Sequence, residues 1–184
     1  MKVKGTVIVD LVRIIRSQKD IDWSKYLKPE DFEIVKSLVV ASKWYPGDSF
    51  WRISLAVTKE IAKMQLDMTF DFGRLSAKSF LKVYKRLMIK GNPAASLENC
   101  INLWDSFYNF EGTEYQSRKI EKGPDWIKFT VYDYPDMIIP EMRKPYYYGL
   151  AGYFQEMAEL ASGKTINNKI LDKGDCFEMT YRWG

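Results

Sequence analysis

The stretch KPYYYGLAGYF, residues Lys144–Phe154, largely decides the fold that the sequence predicts. Pro145 suits the first turn of a helix, where the missing backbone N–H of proline costs no hydrogen bond. Apolar residues then recur at helical spacing and share one face. They are Tyr147, Leu150, Phe154, Met157 and Ala161. The spacing predicts a helix that closes at Gly163 and buries this face against a core.

Two glycines, Gly149 and Gly152, lie together on an adjacent strip of this helix. Each costs about 0.5–1 kcal/mol relative to alanine inside a helix, so something must compensate. One alternative is that another backbone approaches closely there. The other is a slot between the helix and a sheet, lined by tyrosines, that takes a small apolar ligand. The candidate ligand-binding residues are Tyr147, Tyr148, Gly149, Gly152 and Phe154.

Helical patterns precede this stretch, and strand patterns lie on both sides of it. The predicted helices cover residues 5–18, Pro29 to about Val40, Asp48 or Ser49 to about Leu66, Phe72–Ile89 with a cap at Asp71, and Ser96 to before Gly112. The predicted strands cover residues 114–121, 126–132, 165–171 and 176–183, with a loop over 133–144. This order predicts one α+β domain over residues 1–184, with N-terminal helices packed on a small antiparallel sheet of β-β-α-β-β order.

The composition excludes several kinds of chemistry. The chain has no histidine, which excludes haem with a proximal histidine, Cys/His zinc sites and Ser-His-Asp triads. Cys100 and Cys176 lie far apart in sequence, which indicates free thiols in a reducing compartment. No signal peptide or membrane-length apolar run is present. We therefore expect a cytoplasmic protein with no membrane span, no metal and no cofactor.

Three further features have ordinary structural interpretations. The basic residues Lys78, Lys82, Lys85, Arg86 and Lys90 are typical of a solvated helix face, and no nucleic-acid motif accompanies them. Cys176 lies near the start of a strand, where cysteine is usually a small buried apolar residue. Glu156 and Glu159 are three apart, and we expect them on an exposed face. Acid–base work would require their environments to separate their pKa values.

The C-terminal segment resembles a known group of domains. Gly174-Asp175-Cys176-Phe177 is similar to the closing strand of the 4-vinyl-reductase-type small-ligand-binding domains and their haem-NO-binding-associated relatives, without the extra residue usual before the cysteine. Other positions resemble an uncharacterised family first described in myxobacteria, namely Lys4-Gly5, Tyr45-Pro46, Gly73 and Tyr146–Gly149. The resemblance implies a mixed α/β fold, a small apolar ligand and dimer formation. The Cys/His metal cluster of some relatives does not carry over, because this chain has no histidine.

Together these observations predict a non-enzymatic binding module, a sensor or scaffold that holds a small apolar ligand and forms a homodimer. No residue is assigned a catalytic role. Trp44, Trp51, Trp104 and Trp183 suit a dimer surface or a core. Two alternatives stay open. One is an enzyme that uses tyrosine or carboxylate chemistry in the same slot, and the other is a protein-interaction module with a filled core.

Overall fold

The computed structural model describes residues 1–110, 118–133 and 139–183. Short 3₁₀ turns occupy Trp23–Lys25, Lys85–Leu87 and Pro140–Met142. The remaining elements, in chain order, are β1 (Lys2–Lys4), α1 (Gly5–Ser17), α2 (Pro29–Lys36), β2 (Trp44–Pro46), α3 (Gly47–Glu60), α4 (Leu66–Val83), α5 (Pro93–Asp105), β3 (Tyr108–Asn109), β4 (Arg118–Lys122), β5 (Trp126–Tyr132), α6 (Arg143–Ser162), β6 (Asn167–Asp172) and β7 (Cys176–Arg182).

The C-terminal half forms a four-stranded antiparallel sheet in the order β4-β5-β7-β6. Its two hairpins pair through β5 and β7, with Phe129 opposite Met179. Ile127, Phe129 and Val131 alternate along β5 and are buried against α6, as the strand pattern predicts. The α+β class and the β-β-α-β-β order of this sheet are confirmed.

The N-terminal half contains a second, smaller sheet that the sequence did not predict. It has the order β2-β1-β3, and Val3 pairs with both Tyr45 and Tyr108. Helices α1, α2 and α3 pack around it and bury Ile8 and Ile53 completely. Strands of two or three residues are too short to show an alternating pattern. Their pairing also depends on partners far away in the chain, which a local pattern does not reveal.

The helix boundaries correct several predictions. The helix predicted to reach Leu66 ends at Glu60, because Lys63 and Met64 take positive φ angles of 50° and 58° and turn the chain before α4 begins. Asp71 lies inside α4 and does not cap it, and α4 ends at Val83 rather than Ile89.

The bounds of α2, α5 and α6 also differ from the prediction. Helix α2 ends at Lys36 and does not reach Val40, because Ser37 takes an extended conformation with a ψ angle of 160°. Arg16 binds the carbonyl oxygens of Val35 and Ser37 at this end of the helix. Helix α5 starts at Pro93 after the Asn92 cap, not at Ser96. Helix α6 starts at Arg143, two residues before Pro145.

Parts of two predictions fall outside the described residues. These are the beginning of the strand predicted over 114–121 and positions 134–138 of the loop predicted over 133–144. In the described part of that loop, Pro140–Met142 form a 3₁₀ turn. Among the described helices, none combines the length and the apolarity that crossing a membrane requires.

Candidate functional site

The predicted ligand-binding residues lie on two different sides of α6. Tyr147 and Phe154 face the four-stranded sheet and are fully buried. The Tyr147 ring stacks on Phe177 of β7, with 4.4 Å between ring centroids, and its hydroxyl donates to the Tyr132 carbonyl oxygen at 3.2 Å. Phe154 packs against Phe129 of β5 at a centroid distance of 5.1 Å. These rings fill the space between the helix and the sheet.

Gly149 and Gly152 face α4 and not the sheet. A Cβ atom on Gly152 would lie 2.0 Å from the carbonyl oxygen of Phe70, and one on Gly73 would lie 1.8 Å from that of Gly149. Neither distance is compatible with a side chain. A Cβ atom on Gly149 would meet only the carbonyl oxygen of Thr69, at an ordinary 3.5 Å. Close backbone approach is therefore confirmed at Gly152, and the approaching backbone is that of α4.

Tyr148, the fifth predicted residue, is half-buried at the edge of the core around the sheet. The structure thus brings Tyr147 and Phe154 together on one side of α6 and places Gly149 and Gly152 on another. The slot for a small apolar ligand between α6 and the sheet stays a prediction.

A polar cluster joins α4 to α6 and corrects the expected exposure of the two glutamates. Glu156 is only 4% exposed, and Arg74 Nε donates to its Oε2 at 2.8 Å. The second arm of Arg74 donates to Glu159 Oε2 at 2.6 Å, and Lys78 Nζ lies 3.3 Å from Glu156 Oε1. The two carboxylates therefore attach the helices to each other. No sequence signal points to Arg74, which lies 82 positions before Glu156.

An open depression of about 410 Å³ borders this polar cluster at the carboxyl end of α6. Its lining residues are Glu156, Glu159, Leu160, Gly163, Lys164 and Thr165. Both of its carboxylates already bind Arg74. The depression therefore offers no unpaired carboxylate for acid–base chemistry.

Arg143 fastens the amino end of α6 to both hairpins. Its Nε donates to Asp133 Oδ2 at 2.6 Å, and its Nη1 donates to both Asp172 oxygens at 2.9 and 3.0 Å. The guanidinium lies 4.5 Å above the Phe177 ring. The Gly174 backbone N–H and Arg143 hold the pKa of Asp172 below its usual value. Arg143 orients the helix on the sheet, and the sequence analysis did not predict this role.

An aromatic cluster between α4, α5 and α6 contains the buried Cys100 thiol. The Tyr153 and Trp104 rings lie 5.3 Å apart, the Tyr153 hydroxyl interacts with the Cys100 thiol, and the Trp104 indole N–H has no hydrogen-bond partner in the described part of the chain. Burial raises the pKa of Cys100 to about 12 and also raises the pKa of Tyr153. Burial likewise raises the pKa of Cys176. These groups therefore stay protonated at neutral pH.

Comparisons with known proteins identify the fold through structure and not through sequence. No protein-family model matches the chain, and no curated protein matches it in sequence. An oxygen-binding H-NOX domain related to soluble guanylate cyclases matches with a TM-score of 0.64 and 14% identity, covering 97% of this chain and 94% of that one. The fold is that of the H-NOX domains.

Two further solved structures agree. An unliganded Fe(II) H-NOX protein mutant from K. algicida matches with a TM-score of 0.64 and 10% identity, over 97% of this chain and 95% of that one. A mutant of the T. tengcongensis H-NOX matches with a TM-score of 0.61 and 14% identity, over 97% and 96%. Identities this low concern the fold alone.

The chain offers no histidine and no exposed thiol that could hold a haem iron. Haem iron in proteins is held by histidine, a cysteine thiolate, methionine or a tyrosine phenolate. Histidine is absent, and both thiols are buried and protonated. The hydroxyl of Tyr181 donates to the Ala151 carbonyl oxygen at 3.0 Å, and burial raises its pKa well above the ordinary value. Within the described residues, no group of three His, Cys, Asp or Glu side chains could hold a metal ion.

Proposed function

We propose that this chain is a non-enzymatic, haem-free binding module with the H-NOX fold, a sensor or scaffold that acts through its surface. One observation carries the proposal, namely that the chain's own aromatic rings fill the space between α6 and the sheet. The fully buried rings there are those of Tyr147, Phe154, Phe129, Phe177 and Tyr181. A module filled in this way binds partners on its outside. The proposal also comprises a single domain over residues 1–184, a cytoplasmic location, a homodimer and no nucleic-acid partner.

The state of the polar groups supports binding rather than catalysis. Acid–base catalysis requires a group whose pKa lies near the working pH. Burial moves the pKa values of Tyr153 and Tyr181 away from neutrality, and the Tyr147 hydroxyl is occupied by a backbone carbonyl. Arg74 binds both Glu156 and Glu159.

A small apolar ligand between α6 and the sheet is the second candidate. The resemblance to the 4-vinyl-reductase-type and myxobacterial-type families favours it, since that resemblance implies domains that hold apolar molecules. Such a ligand would have to displace rings that now stack on one another, among them Tyr147 and Phe177. We therefore place it second to the filled module.

Titration of the purified protein with haem tests the proposal directly. We expect only the broad absorption of loosely associated haem, with no sharp Soret band at one equivalent. A wild-type chain that binds one equivalent with a defined Soret band would overturn the haem-free assignment.

A fluorescent apolar probe separates the two candidates. We expect no saturable uptake by the wild type. Phe154→Ala removes a fully buried ring, so it should create uptake in a chain whose circular dichroism stays native. Leu38→Ala, at a side chain that is 82% exposed, is the matched control and should change nothing. Saturable uptake by the wild type at one equivalent would favour the ligand-holding module.

A further inference from the structure

The outer face of α4 is an open apolar stripe. Met68, Leu75 and Val83 are 37%, 57% and 76% exposed. With the half-buried Phe72 and with Ser79 they recur at spacings of four, three, four and four, which places them on one side of the helix. The opposite side of α4, at Gly73 and Ala77, is buried toward α6. Apolar helix faces in soluble proteins usually have a partner.

The charges beside this stripe are divided between the two ends of α4. Asp67 and Asp71 lie in its amino-terminal half, and Lys78 and Lys82 lie in its carboxyl-terminal half. All four are exposed. Among the described residues, Asp67, Asp71 and Lys82 form no ion pair, whereas Lys78 reaches Glu156. A helix with one acidic and one basic half is complementary to an antiparallel copy of itself.

We propose that α4 is the homodimer surface and that it pairs antiparallel with α4 of a second copy. A two-fold axis next to Leu75 places Met68 opposite the partner's Val83 and Phe72 opposite the partner's Ser79. The small Ser79 leaves room for the Phe72 ring. The acidic half of each helix then lies along the basic half of the other.

The tryptophans that sequence reasoning assigned to a dimer surface or a core fit this role less well. Trp51 is only 3% exposed. Trp44 is 38% exposed, and Lys4 Nζ lies 4.8 Å from its ring centroid. Trp104 and Trp183 are partly buried against the core around the sheet. The α4 stripe is therefore the better candidate surface.

This inference rests on the self-association included in the proposed function and names the surface that produces it. Helix α4 is about 27 Å long, so a single pair of such helices makes a small interface. We expect micromolar association that weakens as salt screens the Asp–Lys pairs.

Sedimentation velocity over a range of micromolar concentrations provides the first test. We expect the wild type to reach twice the chain mass at the upper end, and Leu75→Glu to stay at the monomer mass. Leu38→Glu, which adds the same charge at an exposed leucine outside α4, should behave as the wild type. A wild type that stays monomeric would overturn both the dimer and its surface. A dimer that survives Leu75→Glu would overturn only the surface. The haem titration is independent of all these results.

Charge reversal tests the antiparallel arrangement. Asp71→Lys alone and Lys82→Asp alone should each weaken self-association at least tenfold. An equal mixture of the two variants should recover a heterodimer, and so should a chain that carries both changes as a homodimer, because opposite charges again face each other. If neither the mixture nor the chain with both changes forms a dimer, the antiparallel pairing is overturned.

Discussion

Gly73 of α4 lies directly against the carbonyl group of Gly149 of α6, so closely that a Cβ atom on Gly73 would stand 1.8 Å from that oxygen. The next contact along the pair, from Gly152 to the Phe70 carbonyl, is equally tight at 2.0 Å. The backbones of α4 and α6 are therefore in direct contact beside Gly149 and Gly152, the two glycines for which the sequence allowed either close backbone packing or a ligand slot. Glycine lowers the stability of a helix relative to alanine, but here it allows the two helix backbones to approach each other.

Gly152→Ala should destabilise the fold. Alanine improves helix propensity by roughly 0.5–1 kcal/mol, but its methyl group would overlap backbone atoms that cannot move aside alone. We expect a net loss of about 1–3 kcal/mol, the usual cost of overpacking. Urea unfolding followed by circular dichroism measures it. Gly149→Ala is the matched control and should be neutral or slightly stabilising, because its nearest contact is 3.5 Å away. Equal behaviour of the two variants would contradict this packing.

Arg74→Met should destabilise the α4–α6 pair, because it leaves the buried Glu156 carboxylate with only the longer contact to Lys78. Arg74 is 32% exposed, so we expect a loss of about 1–3 kcal/mol, below the range for fully buried pairs. Thermal unfolding measures the change. Lys78→Met is the comparison, since Lys78 is 54% exposed and should change stability by no more than about 0.5 kcal/mol. A larger loss for Lys78→Met than for Arg74→Met would sink this assignment.

Stability should fall at acid pH partly through Asp31. Burial alone would raise the pKa of this carboxyl, but hydrogen bonds from Arg52 and Ser49 hold it below its ordinary value. Because the folded pKa is the lower one, the stabilisation is present above the unfolded pKa of about 3.9 and is lost as pH falls through the folded pKa.

Asp31→Asn should therefore cost roughly 1.5–3 kcal/mol at neutral pH, the range for hydrogen bonds to a charged group. Denaturant unfolding at several pH values should show that the difference in unfolding free energy between the variant and the wild type becomes smaller below about pH 4. Glu30→Gln is the control, because Glu30 lies beside the same Arg52 but its side chain is 58% exposed. A difference in unfolding free energy that does not depend on pH would show that the Asp31 charge does not stabilise the fold.

Both cysteines should be unreactive in the folded chain. Thiolates are the reactive species, and burial keeps both Cys100 and Cys176 protonated. A thiol reagent at slightly alkaline pH should label neither residue within the time that it labels both in urea. Rapid labelling of Cys100 in the native protein would show that the aromatic cluster around it opens readily.

Local patterns determined much of the C-terminal half. The alternation along β5, the turn signals between the hairpin strands and the apolar spacing of α6 correctly predicted the order of these strands and this helix along the chain. These signals are local, because strand alternation and helix periodicity need only neighbouring residues. The same reasoning failed between α3 and α4, where Lys63 and Met64 take positive φ angles that nothing in their sequence marks.

The sequence by itself determined the absence of histidine chemistry, the α+β class and the need to compensate for two glycines in one helix. Only the tertiary structure decided how that need is met, because Gly152 meets a backbone more than eighty residues earlier in the chain. Arg74 likewise binds the buried Glu156, although the two residues lie 82 positions apart in the chain. A side chain's neighbours depend on how distant elements pack, and no local period records that packing.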